Sequence, residues 1–235
     1  SPNIIEKDGK GRILVGSYDS NMYMFDAADG KKISQFETEY YINGATALWK
    51  DYMVFGGCDS WLRIINTQTG ESSDSLKLKA YVPASPAVLG DYVCLSDYSG
   101  NVYELHLENG KITDNRMLLE VAKNKGDGGS VSIPAITRDA VYLLASDRYV
   151  VCLNRSDGSE RWRKMLKGDT GESSPIVCRD KILVCTKDGH VSIHDTKTGE
   201  ELWHYEIGEQ IISSPAILDG SFYILTSRGK LFYFK

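Results

Sequence analysis

The sequence lacks the long apolar and helical patterns that mark membrane spans and helical bundles. No apolar run approaches 18 residues, which argues against a membrane-spanning helix. No stretch shows a convincing 3.6-residue apolar period, so we expect almost no helix. The sequence also has no Gly-x-Ser-x-Gly elbow, no Walker loop and no His-Glu-x-x-His pair. We therefore predict no catalytic residue, no bound cofactor and no metal site.

Positive charge is also scarce. The chain has 27 Lys and Arg residues against 32 Asp and Glu residues, which gives a formal net charge of −5. A phosphate backbone is bound by a concentrated basic face, and anionic lipid attracts clustered Lys and Arg. We therefore expect neither nucleic acid nor an anionic membrane surface as partner. The chain opens on Ser1 rather than on methionine, which we interpret as a processed or trimmed start.

Cysteine and histidine are few, and their spacing does not suit metal ligation. The five cysteines form no Cys-x-x-Cys pair, and four of them lie in apolar strand-like runs. We expect buried free thiols, with a disulfide between Cys178 and Cys185 as the alternative. His190 and His194 share one predicted strand, which places them roughly 13 Å apart at about 3.3 Å per residue. That distance is too long for one metal ion.

The feature that is present is a repeat of about forty residues, found in six copies. In each full copy, four short β-branched or aromatic runs are separated by turns rich in Gly, Asp and Asn. A Ser-Pro pair opens several copies, and an Asp, Ser or Gly turn divides the second run from the third. The glycine before the fourth run recurs at intervals of 40, 40, 48 and 41 residues, as Gly30, Gly70, Gly110, Gly158 and Gly199.

Such a repeat predicts an all-β protein, a β-propeller of about six four-stranded blades in a single domain over residues 1–235. One small twisted sheet buries too little apolar surface alone, whereas sheets packed face to face around an axis cover one another. Copies one to six span residues 1–44, 45–84, 85–131, 132–172, 173–212 and 213–235. Copy six ends after its third run, so the chain is either a ring with one three-stranded blade or part of a larger propeller. We expect the bare edge at Phe232 to Phe234 to be open to strand addition.

Two segments carry a resemblance to a known family. Residues 195–203 (Asp-Thr-Lys-Thr-Gly-Glu-Glu-Leu-Trp) and residues 154–162 resemble the D-x-x-T-G-x-x-x-W repeat of pyrroloquinoline-quinone-type (PQQ-like) propellers. Residues 213–220 are similar to the opening of the next repeat in that family. The resemblance implies that Trp162 and Trp203 dock between neighbouring blades and act as structural locks.

The PQQ-like propeller family has two functional branches. Quinoprotein dehydrogenases bind quinone and calcium on the propeller axis, whereas BamB-type outer-membrane assembly proteins and sensor ectodomains are non-catalytic. The dehydrogenases of this family are larger propellers that carry a pair of adjacent cysteines. This chain has no Cys-Cys pair. The resemblance therefore implies the non-catalytic branch, with a periplasmic or extracellular location.

One face of the predicted propeller is the candidate recognition surface. The connections between blades and the turns between second and third strands share this face, and copy three carries an insertion there between residues 121 and 130. Ordinary turn chemistry is the alternative for the Asp residues, and a functionless loop is the alternative for the insertion. The candidate residues are Tyr40, Tyr41, Tyr81, Lys123, Asn124, Lys125, Asp127, Asp19, Asp59, Asp147 and Asp188.

The predicted function is that of a non-enzymatic scaffold that recognises a protein partner or another ligand. Two alternatives stay open. One is a quinoprotein-like domain that binds a cofactor, and the other is a sensor ectodomain that binds a small molecule or a polysaccharide.

Overall fold

The computed structural model describes residues 2–7, 9–120, 132–145 and 148–235. Within these ranges the chain forms 23 β-strands and no helix, which confirms the all-β prediction. Each copy of the repeat contains one antiparallel sheet. The first five sheets have four strands and the sixth has three, and the strands of each sheet lie in chain order.

The strands gather into two compact units, Ser1–Met117 and Leu118–Lys235. In copies one to three the strands are β1 (Asn3–Lys7), β2 (Lys10–Gly16), β3 (Asn21–Asp26), β4 (Lys32–Glu37), β5 (Ala47–Trp49), β6 (Tyr52–Gly56), β7 (Trp61–Asn66), β8 (Ser72–Lys77), β9 (Ala87–Leu89), β10 (Tyr92–Ser96), β11 (Val102–Glu108) and β12 (Lys111–Leu119). In copies four to six they are β13 (Ala135–Ile136), β14 (Ala140–Ala145), β15 (Tyr149–Asn154), β16 (Glu160–Met165), β17 (Ile176–Cys178), β18 (Lys181–Cys185), β19 (His190–Asp195), β20 (Glu201–Glu206), β21 (Ala216–Leu218), β22 (Ser221–Leu225) and β23 (Leu231–Phe234).

The recurring turn residues share one backbone conformation, which explains why they recur. The turn between the second and third strands places its last residue in the left-handed region, with φ of 68° at Ser20 and 99° at Gly189. The glycine before the fourth strand has φ between 71° and 79° in all five full copies. Glycine adopts this region without a steric penalty, so a fixed turn geometry selects it at a fixed interval.

The core of each unit lies between successive sheets. In the first unit, Leu62 and Ile64 of copy two pack in one cluster with Leu105 of copy three. The alternate residue Ile65 packs with Leu14 of copy one. The inner strands of copy two are thus buried on both faces, because this sheet lies between those of copies one and three. The second unit repeats this packing between copies four and five and between copies five and six.

The serine of the Ser-Pro pair ties copies three, five and six each to the copy before it. The Ser85 hydroxyl accepts a hydrogen bond from the Ala45 N–H at 2.7 Å in the first unit. In the second unit, Ser174 accepts from the Ile133 N–H at 2.9 Å and Ser214 accepts from the Ser174 N–H at 3.0 Å. The recurring serine therefore satisfies a backbone donor where a blade begins, a role that its neighbouring proline cannot fill.

All five cysteines are free thiols. Cys94, Cys152 and Cys185 are buried, Cys58 is half-buried and Cys178 is exposed. The alternative of a Cys178–Cys185 disulfide is wrong, since β17 and β18 place Cys178 opposite Lys181 rather than opposite Cys185. Burial raises the pKa of the Cys152 thiol to about 11 and that of Cys185 to about 12.

Candidate recognition surface

Three tyrosines of copy one form an exposed cluster on the predicted face. Tyr18 lies in the turn between β2 and β3, and Tyr40 and Tyr41 lie in the connection that follows β4. Their exposed fractions are 69%, 56% and 46%. The ring of Tyr41 lies 5.4 Å from that of Tyr18 and 5.2 Å from that of Tyr40, with tilts of 50° and 62°. The three rings therefore form one contiguous patch.

The equivalent positions of copies two and three hold a second pair of tyrosines. Tyr81 follows β8, and its ring stacks on that of Tyr98 at 4.3 Å and 20°. Tyr98 is exposed, whereas Tyr81 is half-buried. Burial, together with a hydrogen bond to Tyr98, raises the pKa of Tyr81 to about 12. We call Tyr18, Tyr40, Tyr41, Tyr81 and Tyr98 together the tyrosine face.

Buried neighbours in the chain hold the backbone of this face. Ile42 and Val82, which directly follow Tyr41 and Tyr81, are fully or almost fully buried. Each packs closely on a glycine that ends the second strand of its sheet, Ile42 on Gly16 and Val82 on Gly56. A Cβ added at Gly16 would lie 2.4 Å from Ile42, and one added at Gly56 would lie 2.3 Å from Val82, so there is no room for a side chain at either position. With the apolar residue anchored in this way, the tyrosine before it is held at the surface.

Backbone hydrogen bonds then link the connections that the structure describes to the turn of the next copy. The Cys58 N–H donates to the Tyr41 carbonyl and the Tyr98 N–H to the Tyr81 carbonyl, both at 2.9 Å. The second unit repeats this bond between Lys187 N–H and the Asp169 carbonyl, at 2.8 Å. Since aspartate fills the same position there, the framework does not require a tyrosine. The aromatic side chains of Tyr41 and Tyr81 are therefore additional to what this framework needs.

The predicted Asp residues fall into different environments. Asp19 is exposed and accepts a hydrogen bond from the Tyr23 hydroxyl at 2.7 Å, which lowers the pKa of the Asp19 carboxyl. Asp188 lies in the second unit and accepts from the Asp169 N–H at 2.9 Å. Neither bond needs a ligand, so both residues act at least as turn residues.

Asp59 is not part of an exposed rim, which corrects the prediction for that residue. Its side chain is 1% exposed, and Arg63 donates to both carboxylate oxygens at 3.0 and 2.5 Å. Burial alone would raise the pKa of Asp59, but the bonds from Arg63 prevail and lower it. A sequence that shows only a turn Asp followed four residues later by Arg does not reveal how deeply this pair is buried.

Five predicted residues lie outside the residues that the structure describes. They are Lys123, Asn124, Lys125, Asp127 and Asp147. Their part in the recognition surface stays a prediction. Two tyrosines that the sequence prediction did not select, Tyr18 and Tyr98, belong to the tyrosine face. The signal that could have identified them is their shared place in the turn between second and third strands.

The two proposed tryptophan locks differ in how well they are covered. Trp162 is 9% exposed, and its indole N–H donates to the Thr196 carbonyl of copy five at 3.1 Å. Trp203 meets Phe222 and Phe234 of copy six edge-on, at 6.0 and 5.7 Å, but is 37% exposed. A groove of about 610 Å³ lies beside Trp203.

The described part of the chain offers no group of three or more His, Cys, Asp or Glu side chains arranged to hold a metal ion. His190 and His194 are both buried on β19. The His190 side chain is hydrogen-bonded to Glu206 at 2.6 Å, and the His194 side chain is hydrogen-bonded to Ser192 at 2.8 Å. Burial lowers the pKa of His194. Among the described residues, no helix has the length and apolar character to cross a membrane.

Comparison with known families gives a match over most of the chain. A family model described as outer membrane protein assembly factor BamB matches residues 8–145 and again residues 114–235. Outer membrane protein assembly factor BamB of Legionella pneumophila (strain Paris) is 29% identical over 171 residues, which cover 73% of this chain and 41% of that protein. The BamB of Shewanella oneidensis is 23% identical over 176 residues, which cover 74% and 42%. This chain thus spans about two fifths of the length of these relatives.

A relative with a different name also matches. The beta-alanine-activating enzyme of Drosophila melanogaster is 24% identical over 176 residues, which cover 72% of this chain but only 16% of that protein.

Solved structures show the fold. The crystal structure of BamB from Moraxella catarrhalis superposes with a TM-score of 0.79 at 18% identity and covers 99% of this chain and 71% of that one. The computationally designed Ika8 protein superposes with a TM-score of 0.76 at 15% identity and covers 98% and 69%. The fold is a β-propeller, as the repeat predicted.

Proposed function

Because this chain belongs to the BamB-type family of PQQ-like propellers, we propose that it is a non-enzymatic scaffold that binds a protein partner through the tyrosine face. The observation that carries this proposal is the exposure of Tyr18, Tyr40 and Tyr41 on a backbone that does not need them. Large exposed aromatic side chains at a contiguous patch are characteristic of contact surfaces.

The physical advantage of this face is its rigidity. Tyrosine supplies a large amphipathic contact with only two side-chain torsions, so little conformational entropy is lost on binding. The backbone under it is already fixed by the bonds to Cys58 and Tyr98 and by buried Ile42 and Val82. Binding through such a surface avoids most of the cost of ordering a loop.

The partner we propose is a component of outer membrane protein assembly, since the BamB relatives are named as assembly factors of that process. A periplasmic or extracellular location follows from this proposal. No cofactor is part of this proposal, and a small-molecule or glycan ligand stays an alternative prediction.

Site-specific photo-crosslinking tests the proposal. A photoreactive phenylalanine at Tyr41 of the full-length protein is expected to give one discrete adduct in living cells, identified by mass spectrometry as an outer membrane assembly component. The matched control is Ile33 on β4, which is 44% exposed against 46% for Tyr41. Equal labelling at both positions, or no adduct at Tyr41, would contradict the proposal.

A second candidate function has an observation of its own. The match to the Drosophila enzyme covers most of this chain and little of that protein, so there the propeller is a small part of a much larger chain. Five free thiols, one of them exposed, also suit a reducing compartment. On this reading the propeller is a recognition module carried by a multidomain enzyme.

The exposed thiol distinguishes the two candidates. A membrane-impermeant maleimide added to intact cells is expected to label Cys178 if the protein lies outside the cytoplasm, and a Cys178→Ser variant provides the blank. Labelling that requires cell lysis would favour the multidomain enzyme.

A further inference from the structure

We infer that the copy-one part of the tyrosine face binds an arginine-bearing basic segment of its partner, whose guanidinium groups lie on the rings of Tyr18, Tyr40 and Tyr41. This inference rests on the proposed function and adds the chemistry of the segment that the face selects. Three features of copy one support it, namely the tilt of the rings, the sign of the surrounding charge and the contrast with copies two and three.

The tilt of the rings favours a cation over a flat ligand. Tyr41 is tilted by 50° against Tyr18 and by 62° against Tyr40, so the three rings form no common plane. A sugar or a nucleobase is bound best on a flat aromatic platform. A cation instead is attracted to any ring face within about 6 Å of its centroid and gains from several faces at once.

The charge around the three rings is negative. Asp19, Glu37 and Glu39 lie in the two segments that carry the tyrosines, residues 17–21 and 37–43, and these segments contain no Lys or Arg. The carboxylates of Glu37 and Glu39 form no ion pair with a described residue. A guanidinium at this place would therefore meet both ring faces and carboxylates, which Arg binds with a planar fork of donors.

The two cations of copy two that contact Asp59 are already engaged. Arg63 is held by the buried Asp59 carboxylate. Lys77 donates to the Asp59 carbonyl at 2.8 Å and lies over the ring of Trp61 at 5.1 Å. Neither is thus available to neutralise the copy-one carboxylates, and the patch keeps its attraction for an incoming positive charge.

The second tyrosine pair serves as an internal contrast. There, Lys79 takes the place of Glu39, and Tyr81 and Tyr98 cover each other in a near-parallel stack at 4.3 Å. A lysine repels a guanidinium and a closed stack offers fewer ring faces. The same framework therefore carries one position suited to a cation and one position that is not.

Peptide binding to the full chain tests the inference. The probe is a fluorescein-labelled nine-residue peptide of alternating Arg and Ser, compared with Glu-Ser and Gln-Ser peptides of the same length by fluorescence anisotropy at low and high salt. We expect binding of the Arg-Ser peptide alone, with affinity that falls as salt rises. Binding of the Gln-Ser peptide with equal affinity, or competition by a neutral oligosaccharide, would overturn it.

Surface variants then locate the site. Glu39→Lys, which copies Lys79, is expected to weaken the Arg-Ser peptide about tenfold or more, and Tyr41→Leu, which keeps apolar area but removes the ring, about 2- to 30-fold. Tyr205→Leu is the matched control, because Tyr205 lies on β20 outside the tyrosine face and is 45% exposed against 46% for Tyr41; it should leave the affinity within about twofold. A wild-type affinity for Glu39→Lys, with circular dichroism confirming that it is folded, refutes the inference.

The outcome is separable from that of the proposed function. If crosslinking at Tyr41 captures an assembly component whose contacting segment lacks Arg, the proposed function stands and this inference fails. If the peptide binds at Tyr41 while crosslinking in cells gives no specific adduct, the basic-segment chemistry stands and the proposed partner is wrong.

Discussion

The covered tryptophan of copy four gives the sharpest prediction for stability. Trp162 is 9% exposed and packs beside Tyr142, and its indole ring occupies the space over Gly199, where an added Cβ would meet the ring at 2.6 Å. Removing a buried tryptophan side chain costs about 3 to 5 kcal/mol. Trp162→Ala is therefore expected to lower the free energy of unfolding by about that amount.

Two comparison variants separate the parts of this effect. Trp162→Phe keeps most of the buried ring but loses the 3.1 Å hydrogen bond to the Thr196 carbonyl. Loss of this hydrogen bond is expected to lower the free energy of unfolding by about 1 kcal/mol. Trp203→Ala removes a side chain that is 37% exposed, so its cost should be about two thirds of that of Trp162→Ala, about 2 to 3 kcal/mol.

Urea unfolding followed by far-UV circular dichroism measures all three variants, because that signal does not depend on the tryptophans themselves as fluorescence does. The expected order of destabilisation is Trp162→Ala, then Trp203→Ala, then Trp162→Phe. A Trp203→Ala variant that is destabilised as much as Trp162→Ala would refute the argument from coverage, and so would a Trp162→Ala variant with wild-type stability.

Three further predictions concern ionisation, thiol reactivity and cofactors. The folded-state pKa of Asp59 is lowered, so its stabilising effect is present above its unfolded pKa of about 3.9 and is lost as the pH falls through the folded value. The deficit of Asp59→Asn in urea unfolding should therefore be full at pH 7 and shrink below about pH 4; a deficit of equal size at pH 3 would contradict this. Ellman's reagent should react promptly with exposed Cys178, and with Cys94, Cys152 and Cys185 only after unfolding, whereas prompt reaction of all thiols in the native protein would contradict the burial pattern. Pyrroloquinoline quinone with calcium should change neither the absorption spectrum nor the melting temperature, and a rise of several degrees would indicate a cofactor site instead.

The fold was predictable because the constraint on the turns is local. A left-handed residue is required at the same step of each hairpin, and Gly30 and Gly70 meet it without strain. A turn glycine is recognised from a single residue, so the positions of the strands could be read from the spacing of these glycines. The central strands of copies two and five then read as continuous apolar runs, because each of these two sheets lies between two others of its unit.

The candidate site was predictable only in part, because it is assembled from residues that are distant in sequence. Tyr41 was selected from its place in a connection, but its contact with Tyr18 joins residues 23 positions apart. Asp59 looked like an exposed turn residue, and only the approach of Arg63 to both of its oxygens reveals a buried pair. Pattern alone does not report solvent exposure, since that depends on what the neighbouring copy places over the side chain.

By itself, the amino-acid sequence determined the number of repeats, the position of their turns and the membership of a propeller family. These properties depend on backbone conformation and on apolar alternation, both of which are written into short segments. Only the tertiary structure decided which tyrosines stay exposed, which turn carboxylate is buried and which tryptophan is covered. Each of those outcomes depends on the packing of one copy against the next, where Ile42 fills the space over Gly16 and leaves Tyr41 at the surface.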